Sequence, residues 1–200
     1  MDDAQKLRDG VVRIWATLSI VAAACVIFAW PQLGEIMIYR RTALQAGELW
    51  RLWTGHLVHF SGSHLLLDAV IFAGGGIWLE WVAPRLARWF FLLAPAVISI
   101  VLYVREPAME WYAGLSGMDV GVLVLLALWQ LRPETEEPRW FWIGVLLLVA
   151  LKVFIEATSG RSLVAEFAPG ARVVPLAHVG GVVCALVAFV AARRFRFRVV

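Results

Sequence analysis

Residues 175–192 have the sequence PLAHVGGVVCALVAFVAA, a run without a single Lys, Arg, Asp or Glu. A helix rises about 1.5 Å per residue, so a run of this length nearly spans the roughly 30 Å hydrocarbon core of a bilayer. The run therefore predicts a membrane-spanning helix, with His178 close to its start.

Five more apolar segments precede this run. They cover residues 12–30, 56–79, 86–104, 114–131 and 139–157. Each is long enough to be a membrane-spanning helix, and the short connections leave no room for a separate soluble domain. We therefore expect an all-α membrane protein in which residues 1–200 form one domain of six transmembrane helices.

The composition indicates that most of the protein surface contacts a lipid bilayer. Hydrophobic residues make up 62% of the chain and charged residues only 16%, against about 25% in soluble domains. The net charge of +3 is small and mostly dispersed, which argues against nucleic acid as a partner. The one basic cluster follows the last predicted helix and favours an anchor at anionic lipid; it consists of Arg193, Arg194, Arg196 and Arg198.

The distribution of Lys and Arg predicts the orientation. Six spans put both termini on one side of the membrane, and that side holds eleven basic residues against six on the other. This bias favours cytoplasmic termini. The basic residues before the first segment also fit a cleaved signal peptide, but the segment is long and no cleavage site precedes Pro31, so we expect a retained helix.

Three polar side chains fall in one layer of this arrangement. Predicted helices 2, 4 and 6 all enter from the outer side, and His64, Ser116 and His178 lie near their starts. Polar groups are costly in a bilayer and by default suggest function. Taken singly, a serine in a membrane helix is more often a packing residue, and a histidine is more often a buried hydrogen-bonding partner.

The residues around Ser116 and His178 favour close contact between their two helices. Small side chains on both helices allow nearly backbone-to-backbone packing, which would bring the imidazole within reach of the hydroxyl. A neutral imidazole can take the proton of a serine that attacks a carbonyl, and backbone N–H groups plus His64 can stabilise the oxyanion. The small residues are Gly114, Gly117 and Gly121 around Ser116, and Ala177, Gly181 and Ala185 around His178.

Three stretches resemble the signature of rhomboid proteases. Residues 48–80 resemble their first loop and second helix, Gly114-Leu-Ser-Gly117 resembles their nucleophile motif, and Ala177-His178-x-x-Gly181 resembles their base motif. Each motif alone is weak, but the three occur in family order on predicted helices 2, 4 and 6. The residues that carry the first likeness are Trp50, Arg51, Thr54, His59, His64 and Asp68.

The resemblance implies a six-helix rhomboid-like bundle that acts as an intramembrane serine protease without metal or cofactor. Its substrates would be transmembrane proteins cut near the outer face of the membrane. The implied roles are nucleophile for Ser116, base for His178, oxyanion donor for His64, and support of the site for Asp68, Gly114 and Gly117.

Two short sequence segments look most like those of the rhombosortase subgroup. They are GELWRLWTG at residues 47–55 and YAGLSG at residues 112–117. Rhombosortases are bacterial enzymes proposed to process C-terminal membrane anchors. This likeness implies a bacterial inner membrane and a site that faces the periplasm.

The chain departs from the family pattern at two positions. Asp68 stands where the family usually has Asn, and a carboxylate donates no hydrogen bond to an oxyanion unless it is protonated. It would otherwise orient His64. Val120 stands where an aromatic residue or His is common, so it offers no ring to the base. Asp119 beside it either joins a polar network or faces a wet cavity, and we favour the cavity.

Other polar residues have simpler explanations. His56, His59 and His64 are spaced so that they do not share one helical face, and no carboxylate cluster is evident nearby, so we expect no metal site. Lys152 and Glu156 are four residues apart and predict a snorkelling ion pair near the outer end of helix 5. The amphipathic loop from residue 32 to 51 lies either in the outer leaflet, which we favour, or in solvent.

Two rival functions are compatible with the same residues. A non-catalytic rhomboid-like protein would bind membrane helices without cleaving them, and Asp68 and Val120 keep this alternative open. A small transporter would line a pore with His64, Asp68 and Asp119. The transporter predicts polar residues spread through the depth of the membrane, whereas these cluster toward one side.

Overall fold

The computed structural model describes residues 3–160 and 173–194. Four of the arginines used above to predict orientation lie outside the described residues; they are Arg161, Arg172, Arg196 and Arg198. The described chain is mostly helical, at 79%. Its helices are α1 (Asp3–Ala29), α2 (Pro31–Met37), α3 (Arg41–Gln45), α4 (Arg51–Thr54), α5 (Gly62–Val82), α6 (Pro84–Arg105), α7 (Ser116–Gln130), α8 (Arg139–Ser159) and α9 (Pro175–Arg194).

The helices confirm an all-α membrane protein, but not the number of spans. Among the described residues, α5, α6, α8 and α9 are long and apolar enough to cross a membrane. Residues Arg13–Ala29 of α1 together with α2 form a fifth candidate, which is bent by 116° at the break between the two helices. Helix α7 is apolar but only 15 residues long. Each predicted segment thus matches a helix, while six crossings stay a prediction.

The predicted span 56–79 is wrong at its start. Residues Gly55–Leu57 form a separate 3₁₀ turn, and α5 begins only at Gly62. The boundary has a local cause, because the Ser61 hydroxyl accepts a hydrogen bond from the backbone N–H of His64 at 3.2 Å. This is the N-cap arrangement that serine favours, and hydropathy alone does not reveal it. His64 therefore lies in the first turn of α5.

Helix α7 lies at the centre of the bundle. Twelve of its 15 residues are buried, and it packs against α5, α8 and most extensively α9. A helix surrounded by other helices has little contact with lipid, so its length is not set by the thickness of the bilayer. The residue at its first position, Ser116, is held by this core.

The loop that precedes α5 is folded onto the segment that leads into α7. Strand β1 (Tyr39–Arg40) pairs antiparallel with strand β2 (Trp111–Tyr112), and Tyr39 is opposite Tyr112. The Arg51 guanidinium donates to the backbone oxygens of Glu35 and Ile38 at 3.1 and 2.7 Å. The loop therefore forms a support for the turn before Ser116. Its immersion in the outer leaflet stays a prediction.

A buried carboxylate joins α1 to α5 at the other end of α5. Glu80 is fully buried and its Oε2 accepts from both the backbone N–H and the hydroxyl of Thr17, each at 2.7 Å. Its Oε1 lies 3.3 Å from Nε of Arg88. A Cβ at Gly76 would lie only 2.9 Å from the Thr17 side chain, so glycine permits this close helix contact. The charge of Glu80 is thus satisfied within the protein.

Candidate active site

Helices α7 and α9 meet backbone to backbone beside Ser116. A Cβ built at Gly117 would lie 2.9 Å from the carbonyl oxygen of Ala177, and one built at Gly121 would lie 2.9 Å from that of Gly181. A Cβ at Gly181 would overlap the carbonyl oxygen of Gly117. These contacts confirm the close helix packing predicted from the small residues. They leave the two helices no room to hold larger side chains between them.

This packing brings Ser116 and His178 together. Nε2 of His178 lies 2.9 Å from Oγ of Ser116, a normal hydrogen-bond distance. The imidazole is buried, whereas Ser116 is partly exposed at the first position of α7. The first backbone N–H groups of a helix have no partner within it, so the turn that carries Ser116 offers donors for an anion. A hydroxyl, a base and anion donors therefore meet at one point.

The other ring nitrogen of His178 faces a carboxylate that the sequence argument did not connect with it. Nδ1 lies 3.0 Å from Oε2 of Glu156, and this same oxygen lies 2.6 Å from Nζ of Lys152. The predicted Lys152–Glu156 ion pair is confirmed, but its interpretation as a snorkelling surface pair is wrong, since Glu156 is 1% exposed. A carboxylate within an apolar helix could have indicated a functional role for Glu156. Lys152, four residues away, explained that carboxylate as half of an ion pair, so a contact with His178 was not expected.

Asp68 is at the centre of a buried polar cluster below the Ser116 turn. Its Oδ2 accepts a hydrogen bond from the backbone N–H of Leu115 at 2.9 Å. The same oxygen lies 3.1 Å from Nε2 of His59 and 3.2 Å from Nε2 of His64. A single carboxylate, that of Asp68, therefore contacts both histidines. Asp68 fixes the residue immediately before Ser116, a role that its substitution for Asn did not reveal.

The donors around Asp68 identify the cluster as hydrogen bonded. His59, His64 and Asp68 each offer one atom within 4.8 Å of the others, close enough for a metal site. However, Oδ2 already accepts from the backbone N–H of Leu115, and Nε2 of both imidazoles lies within 3.2 Å of that same oxygen. An ionised carboxylate can accept several hydrogen bonds at one oxygen.

Gly114 makes the turn before Ser116 possible. Its φ is +114°, in the region that side chains rarely adopt. A Cβ there would lie 2.8 Å from Nε2 of His64 and 3.4 Å from Oδ2 of Asp68. Glycine is therefore required both by the backbone conformation and by the polar cluster. The imidazole of His64 lies directly against this turn.

Tyr112 closes the turn on its other side. Its hydroxyl donates to the carbonyl oxygen of Gly114 at 3.2 Å. Burial raises the pKa of Tyr112, and the nearby carboxylates of Asp68 and Asp119 add to this effect. The phenol therefore keeps its proton and remains a donor. Through the β1–β2 pairing, the first loop supports this contact.

A cavity of about 80 Å³ opens beside these groups, with room for several water molecules. Asp119 lines it, as predicted, and neither carboxylate oxygen has a hydrogen-bond partner among the described residues. Val120, which is 3% exposed, lines the same cavity and adds no polar group. The polar lining also includes Ser116, His178, Glu156, Lys152 and His64.

His56 belongs to a different part of the structure. Its Nε2 lies 3.0 Å from the carbonyl oxygen of Pro95 and 3.1 Å from Oγ of Ser99. A carbonyl only accepts, so Nε2 carries a proton and is the donor in these contacts. Burial lowers the pKa of His56 to about 4, and the imidazole is neutral at physiological pH. His56 therefore joins the 3₁₀ turn to α6.

Comparison with known protein families matches residues 46–195 to the Rhomboid domain. This range begins in the loop before α4 and reaches the end of α9, so it includes Ser116, His178 and the cluster around Asp68. A search of curated proteins found no match.

Proposed function

Since the chain belongs to the rhomboid family of intramembrane proteases, we propose that it is a serine endopeptidase with Ser116 as nucleophile and His178 as base. One observation carries this proposal. The hydroxyl of Ser116 and Nε2 of His178 lie 2.9 Å apart, at the edge of a polar cavity within an apolar bundle. Polar groups that are kept accessible in such surroundings favour chemistry over packing.

The reaction begins with transfer of the Ser116 proton to Nε2 of His178 as Oγ bonds to the carbonyl carbon of the substrate. The carbonyl π electrons move to its oxygen. The free N–H groups in the first turn of α7 supply donors for this oxyanion. When the intermediate collapses, the C–N bond breaks and Nε2 returns its proton to the leaving amine.

Hydrolysis of the acyl-enzyme uses the same two residues in reverse. A water molecule in the cavity gives a proton to Nε2 of His178 while its oxygen attacks the acyl carbon. The ester bond to Ser116 then breaks, and Oγ recovers a proton from the imidazole. The cavity explains how water reaches a serine that is covered by an apolar bundle.

The polar cluster supports the nucleophile in this proposal. Asp68 holds Leu115, and Gly114 and Gly117 let the turn and helix α9 approach closely. His64 lies against Gly114 and is a candidate for an additional oxyanion donor. We expect no metal to be needed, so treatment with a chelator such as EDTA should leave activity unchanged.

Transmembrane or C-terminally anchored proteins are the proposed substrates, and the likeness to rhombosortases supports the second of these. An active site near the start of α5, α7 and α9 fits cleavage at one edge of the membrane. The excess of Lys and Arg on the side of the termini supports cytoplasmic termini and a site toward the periplasm of a bacterial inner membrane.

A fluorophosphonate probe tests the proposed nucleophile directly. We expect covalent labelling of the purified protein in detergent, and its complete loss in Ser116→Ala and His178→Ala. Ser99→Ala is the matched control, because Ser99 also lies next to a histidine but is fully buried. Labelling in this control should equal that of the wild type.

The pattern of labelling separates the proposed enzyme from its rivals. If the folded wild-type protein does not react, the proposal is wrong and the non-catalytic helix-binding protein is favoured. Labelling that persists in Ser116→Ala would mean that another residue reacts. Cleavage of an anchored reporter protein by the wild type, but not by Ser116→Ala, would then identify the substrate class.

A further inference from the structure

Glu156 of α8 lies on the side of His178 that faces away from Ser116. Its Oε2 is 3.0 Å from Nδ1 of the imidazole, whereas Nε2 faces the serine. We propose that Glu156 is a positioning residue that completes a Ser116–His178–Glu156 triad, an inference that rests on the proposed serine protease function. The dyad implied by the family resemblance needs no such acid.

The argument begins with the proton count of the imidazole. To act as a base toward Ser116, Nε2 must be free of a proton, and the single proton of a neutral imidazole must then be on Nδ1. An ionised carboxylate is purely an acceptor, so Glu156 favours this form of the ring and disfavours the form protonated on Nε2. The 3.0 Å distance is short, but Nδ1 has no partner in good hydrogen-bond alignment among the described residues, so the stabilisation comes from the nearby charge rather than from a directed bond. It increases the fraction of molecules that are ready to react.

Lys152 explains how a carboxylate remains ionised at this depth. Its Nζ is 2.6 Å from the same Oε2, and its side chain is 25% exposed. An ammonium has only donors, so it stabilises the carboxylate and cannot compete with it for the Nδ1 proton. Lys152 also lines the cavity beside Ser116, so it connects the buried acid to a polar surrounding. The pair on α8 has a use beyond local helix stability.

The surroundings of Glu156 differ from those of a purely structural acid. Glu80 is equally buried, but Thr17 and Arg88 occupy both of its oxygens. Glu156 instead lines the cavity that contains the serine and contacts the proposed base. Its contact with His178 also links α8 to α9.

Labelling rates with the fluorophosphonate probe test the role of the acid. Glu156→Gln keeps the shape but presents an amide, whose N–H groups favour the unreactive form of the ring, so we expect a loss of about 100-fold. Glu156→Asp keeps the charge and should recover about tenfold of this loss. Rates are compared per folded molecule, measured by size-exclusion chromatography and thermal melting.

Glu80→Gln is the control for removal of a buried negative charge. It should lower thermal stability but leave the labelling rate per folded molecule unchanged. If Glu156→Gln behaves in the same way, the triad is wrong and the acid is structural. If the wild type fails to label at all, the proposed function is overturned and this inference with it, so the two failures are distinguishable.

Proton NMR of protein labelled with ¹⁵N-histidine provides a readout that a merely structural acid would not move. A downfield Nδ1 proton is expected in the wild type, absent in His178→Ala and shifted upfield in Glu156→Gln. The same resonance in Glu156→Gln as in the wild type would overturn the proposed contact. Its retention in Glu80→Gln would show that the signal reports the acid next to His178.

Discussion

Two serine–histidine pairs with similar Oγ–Nε2 distances lie in different parts of this protein. Oγ of Ser116 is 2.9 Å from Nε2 of His178, and Oγ of Ser99 is 3.1 Å from Nε2 of His56. A distance criterion alone would not tell them apart. In the second pair, however, the serine hydroxyl donates to the carbonyl oxygen of Leu52 at 2.8 Å, and the histidine nitrogen is a donor.

The two pairs differ in the protonation of the histidine nitrogen that faces the serine and in whether the serine borders a cavity. The Ser99 pair is closed, since both side chains donate to backbone carbonyl oxygens, and Nε2 of His56 already carries a proton and cannot take the one on the hydroxyl. The Ser116 pair faces a cavity, and the far nitrogen of its imidazole faces a carboxylate. The same two side chains thus join helices in one place and form a candidate nucleophile in the other.

The largest expected effect comes from separating the helices of the reactive pair. In Gly181→Ala the new methyl group would overlap the carbonyl oxygen of Gly117, so α9 must move away from α7. A displacement of about 1 Å between reacting groups can cost about 100-fold in rate. We therefore expect fluorophosphonate labelling to fall by about this factor in a protein that still folds.

Gly144→Ala is the matched control for this change. Gly144 is also a helical glycine, on α8, but nothing lies within 4 Å of a Cβ at this position. Labelling in Gly144→Ala should equal that of the wild type. Wild-type labelling in Gly181→Ala would show that the close approach of the two helices is not what holds the reactive pair together.

The sequence predicted one of these pairs and not the other, for physical reasons. Ser116 and His178 are marked by glycines, because their helices must approach closely, and glycine is visible in a sequence. The six predicted segments also match six helices, since hydropathy reports burial in lipid. The Ser99–His56 contact depends on a 3₁₀ turn and a backbone carbonyl, which leave no comparable pattern.

Glu156 shows a second limit of the sequence argument. Its spacing from Lys152 predicted a contact within one helix, and that contact exists at 2.6 Å. The contact with His178 depends on the rotation of α8 relative to α9, which no local pattern determines. Asp68 is similar, because its partner is a backbone N–H of another segment. Long-range partners of polar groups were therefore the part that required a structure.

The closed pair predicts a dependence of stability on pH. Burial lowers the pKa of His56 to about 4 in the folded protein, from 6.5. The unfolded chain therefore binds a proton at higher pH than the folded protein, and folding is progressively disfavoured as pH falls from about 6.5 toward 4. We expect a loss of about 3 kcal/mol across this window.

The comparison with His56→Gln isolates this contribution. The free energy of unfolding is measured for both proteins by denaturant titration in detergent at several pH values. The wild type should lose its advantage in unfolding free energy over His56→Gln as the pH falls, because only the wild type has this histidine to protonate. A constant difference from pH 7 to pH 4 would contradict the closed, neutral state of His56.

A smaller effect is expected for Ser99→Ala. This change removes the donor to the carbonyl oxygen of Leu52, while His56 keeps its contact with Pro95. It also removes the oxygen that accepts from Nε2 of His56. The loss of two hydrogen bonds should cost about 2 kcal/mol of unfolding free energy. Labelling per folded molecule should remain at the wild-type level, and a clear decrease would mean that the closed pair influences the reactive one.

The smallest effect on stability is expected for a change at Asp119, which tests whether this side chain only borders the cavity or belongs to the site of Ser116. Both oxygens of Asp119 lack a hydrogen-bond partner among the described residues, although the side chain is 4% exposed. If this side chain only borders the cavity, Asp119→Asn exchanges one buried polar group without a partner for another of similar size, and the free energy of unfolding should change by about 1 kcal/mol or less. Labelling should then stay near the wild-type rate. A destabilised variant with slow labelling would instead show that Asp119 belongs to the polar network of Ser116 and that the cavity is part of the reacting site, because a residue that merely borders a cavity has no route to the chemistry.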